Sequence, residues 1–249
     1  MPVVRSDYLS LPLDALTGAV EQESAGTLHL VLRPEPRWLS DTEKAAARER
    51  LHEGLRNAGL LDHRGRVDVD FLDWLPLLTS ASHEYYGWAH DGERTYGVLA
   101  AARGLQGIVA IRVEDGVALR PVPRDRLADA LVAELPDVRP GGGRPLLVRV
   151  ADLEEAARED RIPGWDIRDL VNVLQRPVTG TGELYVARRD ELNRYTKLEQ
   201  PLHYADTDWG RYLNYTIGTG GDAEIHLAPG DPAALVEHLF RLEKTLPNW

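Results

Sequence analysis

Residues 83–122, HEYYGWAHDGERTYGVLAAARGLQGIVAIRVEDGVALRPV, contain four consecutive segments in which the hydrophobic period is two. Such alternation is typical of β-strands. Asp91-Gly92 separates the first pair of segments and Asp115-Gly116 separates the last pair. Because Asp-Gly supplies the positive φ angles of a type I′ turn, both junctions are predicted to be tight hairpins. The stretch therefore predicts an antiparallel meander of four strands.

The segments on either side of this meander predict a strand and three helices. TLHLVLRPEP (27–36) alternates leucine with polar residues and predicts a half-buried strand. Ser40, with Glu43 three residues later, predicts a capped helix over 40–62 that Gly59 can end. Two further helices are predicted over 68–82, broken near Pro76, and over 123–136.

The second half of the chain repeats this plan after a glycine-rich segment. GELYVARRD (182–190) resembles HEYYGWAHD (83–91), and it follows a strand at 146–150 and helices at 151–160 and 165–177. RYLNYTIG and AEIHLAP flank Gly218–Gly221 and predict another hairpin. A helix over 231–247 finishes with Leu-Pro, as the helix over 123–136 does in the first half. An internal duplication accounts for this similarity.

The predicted fold is therefore α+β, an antiparallel sheet with flanking helices in two similar halves. We expect one domain over residues 1–249, with a first subdomain over about 1–137 and a second over about 146–249. The linker over about 138–145 contains three consecutive glycines flanked by prolines, which favour neither a helix nor a strand.

Composition favours a soluble cytoplasmic protein and excludes several classes of site. The net charge is −11 and no Lys/Arg cluster stands out, so neither nucleic acid nor an anionic membrane surface is an expected partner. The chain has no cysteine, which excludes disulfides, thiolate metal sites and cysteine nucleophiles. No segment has the apolar length of a membrane span, and the first residues do not form a signal peptide.

No motif in the chain predicts catalysis, a cofactor or a bound metal. GTGELY (180–185) lacks the third glycine of a dinucleotide-binding turn and precedes a strand. His203, Asp206 and Asp208 could be written as a metal triad, but residues 203 and 206 of a strand point to opposite faces. Glu84 and Glu183 occupy matching places in the two halves, where a structural contact is more common than acid–base work.

Four segments together resemble the EspG family of type VII secretion-associated proteins from actinobacteria: GLLDHRGRVDVDF (59–71), GELYVARRD (182–190), HYADTDWGRYL (203–213) and HLAPGDPAALVEHLFRL (226–242). The matching positions are Gly182, Tyr185, Arg189, Asp206, Thr207, Gly210, Arg211, Pro229 and Gly230. The resemblance implies a cytosolic chaperone rather than an enzyme, with a central antiparallel sheet and two subdomains in a quasi-twofold arrangement. It also implies that the chaperone binds the apolar tip of a helical PE–PPE pair and keeps that pair soluble for export.

Two further partner classes stay open at this stage. The client could be a WXG-type helical hairpin, and the chain could instead be an acidic immunity protein that neutralises a toxin. A metal-dependent small-molecule enzyme built on His203, Asp206 and Asp208 is the third alternative. The sequence contains no signal for an oligomeric state.

A client surface needs apolar contacts flanked by polar ones that fix orientation. The predicted tip of the first hairpin carries Arg94 near Trp88. Trp209, Arg211 and Tyr215 share one parity in WGRYLNYT, so they can present one face of a strand. We therefore predict a client surface that includes some of these five residues. In the alternative interpretation, Trp209 and Tyr215 face the core.

Overall fold

The computed structural model describes residues 7–35, 38, 40–159 and 164–246, and these residues form an α+β fold of eleven strands and seven α-helices. The strands are β1 (Leu9–Pro12), β2 (His83–His90), β3 (Thr95–Arg103), β4 (Gln106–Val113), β5 (Gly116–Pro123), β6 (Leu146–Arg149), β7 (Val178–Arg189), β8 (Tyr195–Lys197), β9 (Leu202–Thr207), β10 (Gly210–Ile217) and β11 (Glu224–Pro229). The helices are α1 (Leu13–Gln22), α2 (Asp41–Asn57), α3 (Val69–Thr79), α4 (Leu127–Val132), α5 (Val150–Glu159), α6 (Trp165–Leu174) and α7 (Pro232–Thr245).

All the described strands belong to one antiparallel sheet. Counted inward from either edge, the strands of the two halves follow in an equivalent order. The order is β1-β5-β4-β3-β2-β7-β9-β10-β11-β6, with β8 paired to β7 beside this path. β2–β5 form the predicted meander, and β7–β11 form its counterpart in the second half. The two halves join through the pairing of β2 with β7.

A quasi-twofold axis passes through the β2–β7 pair. Tyr86 lies opposite Tyr185 in the register, and their rings stack with centroids 5.3 Å apart. The hairpin loops that follow β2 and β7 are built alike. Asp91 accepts a hydrogen bond from the backbone of Arg94, and Asp190 accepts one from the backbone of Arg194, and each arginine also contacts its aspartate through Nε. The predicted similarity of the halves is confirmed in the topology.

Helices cover both faces of the sheet, but unequally. We call the face that carries Tyr86 face A and the opposite face, which carries Tyr85, face B. α1, α2 and α3 pack on face A of the first half, and α6 packs on face A of the outer strands of the second half. α4 and α7 pack side by side on face B and share one core with strands of both halves.

Helix α2 begins as its sequence predicts. The Ser40 hydroxyl accepts a hydrogen bond from the backbone of Glu43, and the Glu43 carboxylate accepts one from the backbone of Ser40 at 2.8 Å. This capping box satisfies two backbone donors that have no partner within the helix. Leu51 and Leu55 on the predicted apolar face are buried.

Two predictions of secondary structure were wrong. No strand forms over the described part of 27–36, because the backbone of Leu32 turns back to donate to the carbonyl of His29 at 2.8 Å. Helix α3 is not broken at Pro76 but runs through it to Thr79. Buried leucines on both sides of Pro76 hold the helix although one backbone hydrogen bond is lost.

Turn positions and helix length also differ from the predictions. The β4–β5 hairpin, predicted to turn at Asp115-Gly116, turns instead at Glu114 and Asp115. Glu114 has a φ of 53°, and Gly116 already pairs with Val113. The first loop spans the four residues 91–94. The helix predicted over 123–136 is a 3-10 turn followed by the short α4. The predicted ends at residues 36, 160 and 247 lie outside the described residues.

Candidate protein-binding surface

The strand register places the predicted surface residues of the strands on different faces of the sheet. Trp88 pairs with Glu183, Glu183 with His203, and His203 with Asn214, so these four side chains form a row on face A. Tyr215 follows Asn214 and therefore points to face B. Arg211 lies four residues before Tyr215 on the same strand and therefore also points to face B. Arg94, in the loop between β2 and β3, lines a cavity on face B. The predicted residues do not form one surface.

Arg211 is in the interior and is withdrawn from the predicted client surface. Arg211 is 2% exposed, and its guanidinium donates to both carboxylate oxygens of Asp206, at 2.6 and 2.8 Å. A third hydrogen bond, of 2.9 Å, reaches the carbonyl of Pro136, and the ring of Tyr204 lies against the guanidinium. The predicted alternation of side chains along β10 is correct, but the odd-numbered residues of the strand point towards α7 and the linker.

Arg94 and Tyr215 are half-buried on face B and already have partners. Arg94 contacts Asp91 within the hairpin loop. The Tyr215 ring stacks on His226, with centroids 4.8 Å apart, and contacts His238 at 4.1 Å. Tyr215 therefore belongs partly to the packing between β10, β11 and α7.

Trp209 and Trp88 keep part of their aromatic surface exposed to solvent. Trp209 is 43% exposed in the β9–β10 turn, and the Arg176 guanidinium lies 4.1 Å from its ring centroid. Arg176 also binds Asp208. Trp88 is half-buried and meets the rings of Tyr86 and Tyr185 edge to face.

An uncovered strip of sheet extends from Trp88 across the middle of face A. We call it the central trough and define it by Trp88, Thr181, Glu183, Tyr185, His203 and Ala205. These side chains are exposed or half-buried. On face A, α1–α3 pack over the strands of the first half and α6 packs over the outer strands of the second half, and neither group of helices extends fully over the strip between them. The strip therefore lies between two helical walls.

The central trough combines aromatic surface with hydrogen-bonding groups. The Tyr185 hydroxyl donates to Glu183 at 2.9 Å. Burial and this hydrogen bond raise the pKa of Tyr185 to about 12, so the phenol stays protonated. Glu183 and His203 lie side by side in the strand register and provide polar groups. This arrangement suits recognition of a protein surface.

Glu183, Tyr185 and His203 were not among the residues predicted for the binding surface. Polar Thr181 and Glu183 alternate with buried Leu184 and Val186 along β7, and this alternation was the available signal for an exposed face. By itself the alternation predicts a strand but not which of its faces is exposed.

The proposed metal triad does not assemble. His203 and Asp206 point to opposite faces of β9, as the spacing predicted, and Asp206 and Asp208 are each bound by an arginine. Within the described ranges, no three His, Asp or Glu side chains are grouped so that they could hold a metal ion. None of the helices described is both long enough and apolar enough to span a membrane.

Known proteins resemble this chain in sequence and in fold. The model of the EspG family matches residues 12–241. The fold is similar to that of the Mycobacterium tuberculosis type VII secretion system chaperone EspG5, solved in complex with the PE25–PPE41 dimer. The TM-score is 0.68 over 97% of this chain and 98% of that chain, at 16% identity. No curated protein sequence matches significantly.

Proposed function

The chain belongs to the EspG family, and from that premise we propose that it is a cytoplasmic chaperone of a type VII secretion system that binds a helical PE–PPE pair before export. EspG5, whose fold it shares, was solved with the PE25–PPE41 dimer. An exposed apolar helix tip aggregates unless a partner covers it. The net charge of −11 would keep such a complex soluble.

The observation that supports this proposal best is the central trough. It is a strip of face A between the two helical layers, and its floor contains the half-buried rings of Trp88 and Tyr185, which pack against the edge of the core under α1–α3. A protein interface requires an apolar centre with polar groups around it. Glu183 and His203 supply polar groups beside the rings, and Trp209 with Arg176 adds a partly exposed aromatic side chain at one end of the sheet.

The proposal is tested by co-purification with a PE–PPE pair from the same genome. We expect Trp88→Ala and Glu183→Arg each to weaken binding at least about tenfold, because an aromatic anchor carries much of the binding energy of an interface and a reversed charge opposes a complementary partner. Glu155→Arg on α5 is the charge-matched control, since Glu155 is exposed and far from the trough. It should bind as the native protein does.

Circular dichroism and thermal unfolding would verify that each variant is folded. Native-like binding by both folded trough variants would remove the trough as the client site. Capture of a WXG-type pair but no PE–PPE pair would overturn the client class, and capture of neither would overturn the chaperone proposal.

A further inference from the structure

A cavity of about 900 Å³ opens on face B of the first half, between the end of α4 and strands β1, β3, β4 and β5. We call it the α4 cavity. Its apolar walls are formed by Tyr8, Tyr96, Ile111, Val113, Ala118 and Leu135. It lies on the side of the sheet opposite the central trough, so the two sites are independent.

The α4 cavity exists because α4 is short. α4 has 6 residues, whereas α7, its counterpart in the second half, has 14. The chain leaves α4 at Ala133 and reaches Pro136, which cannot continue a helix. The outer strands of the first half are therefore left without a helical cover, and Val113 and Ala118 remain only half-buried.

Carboxylates outnumber arginines at this cavity. Glu134 is bound by the Tyr8 hydroxyl and by Arg120 at 3.2 Å, and Arg120 also contacts Asp7. Asp91 is paired with Arg94. Among the described residues, Asp115 and Asp137 form no ion pair, and both are exposed. Four carboxylates and one guanidinium group thus line the cavity, with the Asp7–Arg120 pair beside them, which gives the cavity an acidic rim around an apolar floor.

The Tyr8 phenol contributes no charge of its own. Burial and the hydrogen bond to Glu134 raise the pKa of Tyr8 to about 12. The charge of the rim therefore comes from its carboxylate and guanidinium groups alone. An occupant that combines apolar groups with a positive charge is the complement of such a site.

We propose that the α4 cavity is a second binding site, which takes apolar side chains of a polypeptide segment that also carries lysine or arginine. Sites for small molecules enclose most of their ligand. Here Ser10, Pro12, Asp115 and Gly116 form an exposed rim, so an occupant keeps much of its surface in water. Side chains that project from a larger partner suit this shape. A second copy of this chain, with a net charge of −11, does not complement the rim.

The methyl groups of Ile111 report on the cavity by nuclear magnetic resonance, and those of Ile225 in the second half serve as the internal control. The probes are a short acetylated peptide of leucines and arginines, a twin with glutamates in place of the arginines, and n-octylammonium. We expect the arginine peptide to shift the Ile111 signal at concentrations at least about tenfold below those of the other two probes.

Two variants test whether binding occurs in the cavity. Ala118→Trp fills the space and should abolish the Ile111 shift. Asp115→Lys with Asp137→Lys should weaken binding of the arginine peptide roughly tenfold, because it removes the unpaired acidic charge. Glu155→Lys with Asp169→Lys, two exposed acids of the second half, is the charge-matched control and should change nothing.

Equal binding of the arginine and glutamate peptides would overturn the charge complementarity. Binding of n-octylammonium as tight as that of the arginine peptide would instead assign the site to small amines. Unchanged peptide binding by a folded Ala118→Trp variant would place the site elsewhere. A protein that lost PE–PPE binding through the trough variants but retained the Ile111 shift would separate this site from the proposed chaperone function.

Discussion

At the scale of single residues, Arg211 has the largest structural role of the predicted surface residues. Its guanidinium forms the buried pair with Asp206, and its backbone joins the linker to β10. The amide of Arg211 donates to the carbonyl of Arg139, and the carbonyl of Arg211 accepts from Gly141, both at 2.8 Å. The residue thus ties the glycine-rich segment to the second half of the sheet.

Breaking this buried pair should strongly destabilise the protein. Asp206→Asn leaves the Arg211 guanidinium without its counter-charge in the interior, and we expect a loss of about 3–5 kcal/mol in urea unfolding. Asp208→Asn at the more exposed pair with Arg176 is the control and should cost less than about 1 kcal/mol. Equal losses for the two variants would contradict the assignment of Arg211 to the interior.

We expect His29 to make the stability of the fold depend on pH. Burial, with Arg33 and Arg189 nearby, lowers the pKa of His29 to about 4. Between the ordinary pKa of about 6.5 and this value, the unfolded chain binds a proton that the folded protein does not, so stability falls as pH falls. Below about pH 4 the contribution stays constant.

We expect His29 to cost about 2–3 kcal/mol of stability between pH 7 and pH 4.5. Urea unfolding of the native protein and of His29→Gln at both pH values measures this loss as the difference between their pH dependences. Burial also raises the pKa of Glu84, whose carboxylate lies 3.6 Å from His29. Parallel pH dependences of the two proteins would show that His29 is not the acid-sensitive group.

At the scale of elements, the pairing of β2 with β7 is the contact on which the sheet depends, because among the strands that the structure describes it is the pairing that joins the two meanders. The strands approach closely at Gly87. An added Cβ there would lie 1.9 Å from the carbonyl oxygen of Glu183, which belongs to the backbone and cannot rotate away.

Gly87→Ala should therefore force β2 and β7 apart. We expect a loss of at least about 3 kcal/mol, at the upper end of overpacking effects. Gly142→Ala in the linker is the matched control, because no atom lies within 4 Å of its added Cβ. Chemical denaturation of both variants compares them, and a Gly87→Ala protein as stable as the control would show that the strands separate at little cost.

At the scale of the whole molecule, the two similar halves share a core. α4 of the first half and α7 of the second pack together on face B over strands of both halves. Separating the two halves would expose this core and the paired edges of β2 and β7. The subdomain boundaries near 137 and 146 remain a prediction about sequence similarity, not about independent folding.

We expect the full chain to unfold in one cooperative transition. Hydrogen exchange in increasing urea should show the same opening free energy for β3–β5 and for β9–β10, because the shared core must open for either meander to unfold. A first half, residues 1–141, expressed alone should lack this protection. Separate transitions for the two meanders would mean that each half is stable by itself.

The sequence alone determined the α+β class, the two meanders, most helices and the capping box at Ser40, because hydrophobic period, turn residues and caps act over a few neighbouring residues. It also indicated the similarity of the halves and the EspG family. The turn of the β4–β5 hairpin lies one residue earlier than predicted, since Glu114 adopts the positive φ that was predicted for Gly116.

Only the tertiary structure decided which side of each strand is covered. Alternation separates the side chains of a strand into two sets, but the helices that pack on the sheet determine which set is buried. That choice placed Arg211 in the interior and left Trp88, Glu183 and His203 in an open trough. It also produced the α4 cavity, because the length of a helix that ends over a sheet depends on packing as well as on its own residues.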